Sequence, residues 1–212
     1  MHVTAFGATG KIGRLVVVQL LAAGHEVTAL VRTPAKLTID HLDLTVRTGQ
    51  LPDAAAVHDV VGGSDAVISA LGPSLKRGAP GSPVIEGTRV IVAAMKEAGV
   101  RRFIGVATPS VPDPRDRPTF KAELLPLMAR LLFPNALTEL RGMTAVITRS
   151  DLDWTRVRIT NPTDKPAKGT HRAGFLGRDS IGWAMTRADI AAFLAAQLSE
   201  TTYLRAAPAI GN

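Results

Sequence analysis

A chain of 212 residues, 46% hydrophobic and 20% charged, is expected to form one domain with a full core. It has no cysteine, which excludes disulfides, thiolate catalysis and cysteine-ligated zinc, and its longest apolar run, "LLPLMARLLF", is broken by Pro126 and Arg130 before it reaches membrane-span length. The net charge of +7 is dispersed and aromatics are only 4%, a pattern of a basic surface with a polyanionic small ligand rather than of nucleic-acid binding.

Residues 2–6 read as a buried strand, so no secretory leader is expected and a cytoplasmic location is. The strand runs into "GATGKIG", with glycines at 7, 10 and 13. Ile12, Leu15, Val16 and Leu20 then fall at helical spacing, Gly24 sits where a helix stops, and 26–31 reads as a second strand. This is the first βαβ unit of a parallel sheet. Each glycine has its own task in such a turn. Gly7 turns the chain sharply, Gly10 lets backbone amides approach an anion, and Gly13 lets the helix pack closely on the strand. The first amides of the helix then face a pyrophosphate.

Arg32 follows the second strand, about 20 residues past the turn, where an acidic residue would hold the ribose 2′-hydroxyl of NAD. An arginine there grips a 2′-phosphate instead, with Lys36 and Lys11 adding positive charge, so NADP(H) is the expected cofactor.

Further along, 42–49 reads as strand three, 52–63 as a helix, 65–72 as strand four, and 73–83 as a Pro/Gly/Ser connection opening a long helix to Gly99. Residues 101–107 make strand five; 108–118, with four prolines, is loop; 119–150 is largely helical with a break near Pro134 and Asn135. Strand six covers 153–159, a polar loop runs through Lys168, and 170–176 is a further strand candidate. Thr186 and Asp189 mark a capping-box start for a helix over 187–198, and a final strand closes the chain near 202–210. The alternation predicts an α/β fold, a Rossmann-like doubly wound parallel sheet in a single domain over 1–212. Residues of about 108–185 contribute a small C-terminal substrate-binding part.

Ligands bind beyond the carboxyl ends of such strands. That edge collects 7–13, Arg32, Gly49–Gln50–Leu51, Ala70–Leu71–Gly72, Thr108–Ser110 and Arg158–Asn161; the first four groups face the cofactor and the last two wall a substrate pocket. The five histidines lack metal-ligand spacing, so no metal is expected. His171 reads as structural, Lys121 and Glu123 as surface residues, and Trp183 as a candidate stacking platform.

The motifs "GATGKIG", "VRTPAK", "DAVISALG", "EGTRVIVAAMKEAGVRRFIGVAT", "SDLDWTRVR" and "TRADIAAFL" occur in order over nearly the whole chain. In them the chain resembles the atypical short-chain dehydrogenases/reductases, and more narrowly the NmrA-like NAD(P)H-binding group that includes biliverdin-IXβ reductase/flavin reductase. The resemblance implies that Gly7, Thr9, Gly10, Lys11, Ile12 and Gly13 form the phosphate turn and that Arg32 meets the 2′-phosphate. It places Gln50 near the adenine, where relatives often have an aspartate, and Ala70, Leu71 and Gly72 under the ribose and nicotinamide. It also aligns Ser110, beside Thr108, with a serine near the nicotinamide.

The chain departs from the superfamily at its chemistry. Typical members use a Tyr-x-x-x-Lys pair, whereas this chain has one tyrosine, Tyr203, without a lysine four residues on. Transfer of hydride to a flavin, quinone or tetrapyrrole-like acceptor needs little help from a side-chain acid. The expected activity is therefore an NADPH-dependent reductase of a flat conjugated small molecule, monomer or homodimer, with no nucleic-acid or membrane partner expected and a non-catalytic NADP(H) sensor as the alternative. Ser110 and Thr108 are its candidate catalytic residues.

Overall fold

A computed structural model describes residues 1–74 and 83–212, the side chains of Pro83, 120–123 and Leu125 excepted. Strands β1 (His2–Phe6), β2 (Glu26–Val31), β3 (Leu44–Thr48), β4 (Ala66–Ser69), β5 (Arg102–Ala107) and β6 (Asp153–Ile159) are parallel, in spatial order β3-β2-β1-β4-β5-β6. That order reverses direction between β1 and β4, which makes the crevice there the binding position of a doubly wound sheet.

Side-chain alternation explains why these runs read as almost continuously apolar. Val3 and Ala5, Val27 and Ala29, Ala66 and Ile68, Ile104, and Val157 with Ile159 point to one face. There they meet Val16, Val17 and Leu20 of α1 (Lys11–Ala22) and Ile190 and Leu194 of α6 (Arg187–Ala196). Phe6, Leu30, Val67, Phe103 and Trp154 point to the other face. They pack there on α2 (Ala54–Val61), α3 (Pro83–Glu97) and α5 (Pro134–Thr148). Both faces are covered over the central strands, so most positions of β1, β2, β4, β5 and β6 are buried whichever way they point, while edge strand β3 stays largely exposed.

The helical region after β5 divides into α4 (Phe120–Leu132) and α5, with the break at Phe133 before Pro134. Proline at the first helical position starts α5 without wasting an amide. The Pro/Gly/Ser connection expected over 73–83 lies mostly outside the described residues, as do the side chains of Lys121 and Glu123.

Three details of the C-terminal third differ from expectation. The polar loop after β6 contains β7 (Asn161–Thr163), which pairs in parallel with β9 (Ala184–Thr186) as a separate two-stranded sheet. Three-residue strands with Pro162 at the centre carry no readable alternation. The strand expected near 202–210 is reduced to β10 (Ala209–Gly211), since Arg205 takes a left-handed φ of 51°. β10 extends the sheet parallel to β6, and β8 (Arg172–Gly174) closes it antiparallel. Finally, Thr186 Oγ1 caps α6 by accepting the Asp189 amide at 3.1 Å and donates to the buried Asp189 carboxylate at 2.7 Å, and that carboxylate has further partners. It accepts the Lys168 and Gly169 amides and Asn212 Nδ2, stapling a distant loop to the helix start.

Among the described residues no helix is long and apolar enough to cross a membrane, and no group of His, Asp or Glu could hold a metal ion.

Candidate functional site

Parallel register brings the strand ends together. Phe6 pairs with Leu30 and Ser69, and Ser69 with Gly105, so the segments leaving β1, β2, β4 and β5 emerge on one edge. Gly7, at φ +79°, lies so close to the β4 exit that a Cβ on it would stand 2.9 Å from the Ala70 carbonyl. The Ala70 amide donates to the Phe6 carbonyl at 2.9 Å, which joins the 7–13 turn to Ala70–Leu71–Gly72. A Cβ on Gly13 would collide with the Gly7 carbonyl, so the helix can lie this close to the strand only with glycine at that position. Gly10 is different: its Cβ would meet only the Gly7 carbonyl, at 3.2 Å, with otherwise open space above it.

Gly10 is also the N-cap of α1 and carries no side chain to satisfy the first-turn amides, and no acidic residue stands in that turn. The amides of Lys11, Ile12 and Gly13 have no intrahelical acceptor by helix geometry and sit at the positive end of the dipole. Thr9 is half-buried beside them. An exposed cradle of this kind accepts a phosphate group. Lys11 itself is engaged elsewhere. Its Nζ lies 2.9 Å from Asp164 Oδ2, and Asp164 Oδ1 accepts Arg187 at 2.6 Å. The hydrogen bond from Lys11, then the nearby positive charges, hold the Asp164 carboxyl below the usual carboxylate range against its partial desolvation.

The β2 and β3 ends converge in the same way. Val31 pairs with Thr48, and the Gly49 amide donates to the Val31 carbonyl at 3.1 Å. Arg32 and Gln50 therefore line one cleft of about 490 Å³ with Thr48, Gly49, Pro52 and Asp53. Arg32 is exposed and makes no ion pair among the described residues, so its guanidinium is free to meet an anion there. Lys36 is exposed on the short 3₁₀ turn Pro34–Lys36 that follows, and Leu51 is half-buried behind the cleft, where it packs on Gly87 of α3.

At the β5 exit, Thr108 Oγ1 and Ser110 Oγ are 2.8 Å apart and half-buried, on a turn closed by the Val111 amide on the Thr108 carbonyl. Buried Pro109 between them fixes the turn. At the neighbouring β6 exit the Thr160 hydroxyl is buried without a hydrogen-bond partner, a polar atom that sequence reasoning passed over. A first-turn amide cradle, a cleft lined by Arg32 and the hydroxyls of Thr108, Ser110 and Thr160 thus stand along one edge of the sheet.

One expected pocket residue is placed otherwise. Arg158 does not wall a pocket: it is fully buried, donates to Asp116 at 2.5 and 2.7 Å and to the Ala207 carbonyl at 2.6 Å. Asp116 also accepts the Asp113 and Leu176 amides, so this pair clamps the proline-rich loop that carries Ser110. Burial alone would raise the Asp116 carboxyl, but the Arg158 and backbone hydrogen bonds outweigh it and hold the group below its ordinary range. Trp183 is exposed on the segment before β9, 59% accessible. His171 packs edge-on against Phe193 at 4.9 Å, a structural contact. Tyr203 donates its hydroxyl to the Ala173 carbonyl on β8, the edge strand remote from β1, and burial raises its pKa.

Sequence reasoning also missed two buried charges. Arg156 lies beneath Thr108, with Nη1 on Thr144 Oγ1 at 2.8 Å, Nε without a partner, and burial drawing its pKa down to about 10. Glu139 in α5 accepts the Val84 amide, while burial raises its carboxyl and leaves Oε2 without a partner. Neither interrupts its local pattern in a way that marks it as buried.

A model of the NAD(P)H-binding family matches residues 7–201. A 3-beta-hydroxysteroid dehydrogenase from Mycolicibacterium neoaurum is 34% identical over 120 residues, which are 52% of this chain and 32% of that protein. The matched part thus spans about a third of the curated relative. The fold is shared with a short-chain dehydrogenase/reductase from Veillonella parvula in complex with NADP: TM-score 0.79, 20% identity, 100% of this chain and 94% of that one. It is also shared with an anaerobillin reductase from Escherichia coli O157:H7: TM-score 0.79, 21% identity, 100% and 97% covered.

Proposed function

The chain belongs to the NAD(P)H-binding family, and on that premise we propose that it is a reductase that takes NADPH in preference to NADH and acts on flat conjugated acceptors such as flavins, quinones or tetrapyrrole-like molecules. The observation that carries the reading is the division of labour along the strand ends. A free arginine lines the cleft beside the phosphate turn, and hydroxyls gather at the β5 and β6 exits, while the one tyrosine is committed to a carbonyl on the edge strand.

In this reading the first-turn amides of α1 hold the pyrophosphate over Gly10. Arg32 takes the 2′-phosphate with its planar fork, Lys36 adds charge, and the Gln50 amide meets the base edge. Ala70, Leu71 and Gly72 lie under the ribose and nicotinamide. Bound NADPH supplies a hydride. Thr108 and Ser110 orient the acceptor by donating to its polar edge, and Thr160 is available as a third hydroxyl. A hydroxyl is too weak an acid to protonate an unactivated ketone as electrons arrive. A conjugated acceptor spreads the charge over its ring system and takes its proton from water. The fold shared with an anaerobillin reductase accords with this acceptor class.

Fluorescence titration of NADPH and NADH on the wild type and Arg32→Ala, followed by FMN addition to the NADPH complex, tests the proposal. NADPH is expected to bind more tightly than NADH, and Arg32→Ala to cost about tenfold to a hundredfold for NADPH alone. Oxidation of bound NADPH by FMN completes the reading. Arg32-dependent binding with no oxidation across flavins and quinones overturns it in favour of a non-catalytic sensor.

A further inference from the structure

The Thr108 and Ser110 hydroxyls, 2.8 Å apart, share one hydrogen bond, and either oxygen can be its donor. The direction matters for chemistry. With Thr108 as donor, the Ser110 proton stays free to point outward at an acceptor. In the reverse direction Thr108 takes up the Ser110 proton. A group beside the pair has to fix which of the two holds.

Arg156 stands in that place. β5 and β6 pair with Gly105 opposite Arg156 and Ala107 opposite Arg158, and Thr108 follows directly on β5. Arg156 is only 3% accessible, and together with Thr108 and Thr144 it lines a small cavity whose other side chains are apolar. Its Nη1 donates to Thr144 Oγ1 at 2.8 Å, and its Cζ lies 5.4 Å from the centre of the Trp154 ring. These contacts hold the guanidinium in position but leave its charge unanswered. Nε has no partner, and among the described residues Arg156 makes no ion pair. Asp113, which acts on it electrostatically, gives its own carboxylate oxygens to the Arg115 and Ala207 amides. With a pKa of about 10 the group is charged at neutral pH. A buried cation without an ion-pair partner costs stability that an apolar side chain of similar size would not.

We infer that Arg156 is a positioning residue of the reductase site, whose charge sets the direction of the Thr108–Ser110 hydrogen bond so that Ser110 donates to the acceptor. The inference rests on the reductase reading and deepens it. Across an apolar cavity the field of a cation is weakly screened. The Thr108 hydroxyl therefore turns its oxygen toward Arg156 and its proton toward Ser110, and Ser110 turns its own proton out of the turn. As the hydride and its electron pair pass from the nicotinamide to the acceptor, Ser110 meets the negative charge that grows there. Its proton is shared and not transferred, and water protonates the acceptor. A donor aimed before the charge appears needs no reorganisation when it does.

Single-turnover oxidation of bound NADPH by saturating FMN, compared in wild type, Arg156→Met and Arg156→Lys, tests the inference, with NADPH titrations and thermal melts on each. Methionine puts an apolar chain where a buried unpaired charge stood. Arg156→Met is therefore expected to bind NADPH as wild type does and to melt at or above the wild-type temperature. Its hydride transfer is expected to slow by about tenfold to a hundredfold. Arg156→Lys, which keeps a charge, is expected to be several-fold faster than the methionine variant. Thr108→Val is expected to be slow by itself, and adding Arg156→Met to slow it no further, because the charge acts through Thr108. Equal rates in wild type and Arg156→Met overturn the inference alone. So does a methionine variant that melts well below wild type and is no slower than the lysine variant, or a double variant whose losses multiply. A wild type that oxidises NADPH with no flavin or quinone overturns the reductase reading, and this inference with it.

Discussion

Lys11 Nζ sits 2.9 Å from Asp164 Oδ2, so the one cation of the phosphate turn is held by a carboxylate from the segment after β7. Any anion that binds over Gly10 has to share Lys11 with Asp164 and also meets the Asp164 charge. Both side chains are largely exposed, which limits the pair to a small contribution. Asp164→Ala is therefore expected to tighten NADPH binding severalfold, and most at low ionic strength. Isothermal titration at two salt concentrations checks it; weaker binding in the variant would show that Asp164 supports the site instead.

The glycines of the turn are expected to fail in different ways. A methyl group at Gly13 would strike the Gly7 carbonyl, so Gly13→Ala is expected to lower stability by about 1–3 kcal/mol. A methyl at Gly10 meets only one atom, at 3.2 Å, and otherwise occupies the open space a phosphate would enter. Gly10→Ala is expected to melt within a few degrees of wild type and to lose most of its NADPH affinity. Thermal melts and titrations on both variants, taken together, distinguish the two roles.

What could be read from the chain follows from how local each cause is. β1 and β2 are bounded as their largely apolar runs are, because both of their faces are covered and most of their positions are buried. The convergence of Arg32 and Gln50 is also local, since each follows directly on a strand and the strands pair in register. Arg158 was misplaced because its partner, Asp116, is 42 residues away and arginine at a strand end reads as a site residue. Burial of Arg156 and Glu139 depends on how α5 lies over the sheet and α3, and no spacing announces that packing. β7 and β9 are too short to show a period.

The Asp116–Arg158 pair is expected to dominate the acid side of stability. Removing one partner leaves a fully buried guanidinium uncompensated, so Asp116→Asn is expected to cost about 3–5 kcal/mol in urea unfolding, with the slope unchanged. The folded Asp116 carboxyl lies below its unfolded value of about 3.9. Its contribution is therefore complete above that pH and is lost as pH falls through the folded value. Wild-type stability is expected to decline across this acid window, and the Asn variant to decline less steeply there.

Glu139 has the opposite sign. Burial raises its carboxyl, so the folded state holds its proton to higher pH than the unfolded chain, whose glutamates titrate at about 4.3. Stability from this group is full below that value and is lost as pH rises through the folded pKa, after which a buried charge with an unpartnered Oε2 remains. Gln at this position keeps a carbonyl oxygen for the Val84 amide and carries no charge. Glu139→Gln is expected to match wild type near pH 4 and to be more stable by about 1 kcal/mol at pH 7. Urea midpoints measured from pH 4 to pH 8 decide it: a variant that is less stable throughout would mean that the carboxylate is bound by a partner it needs.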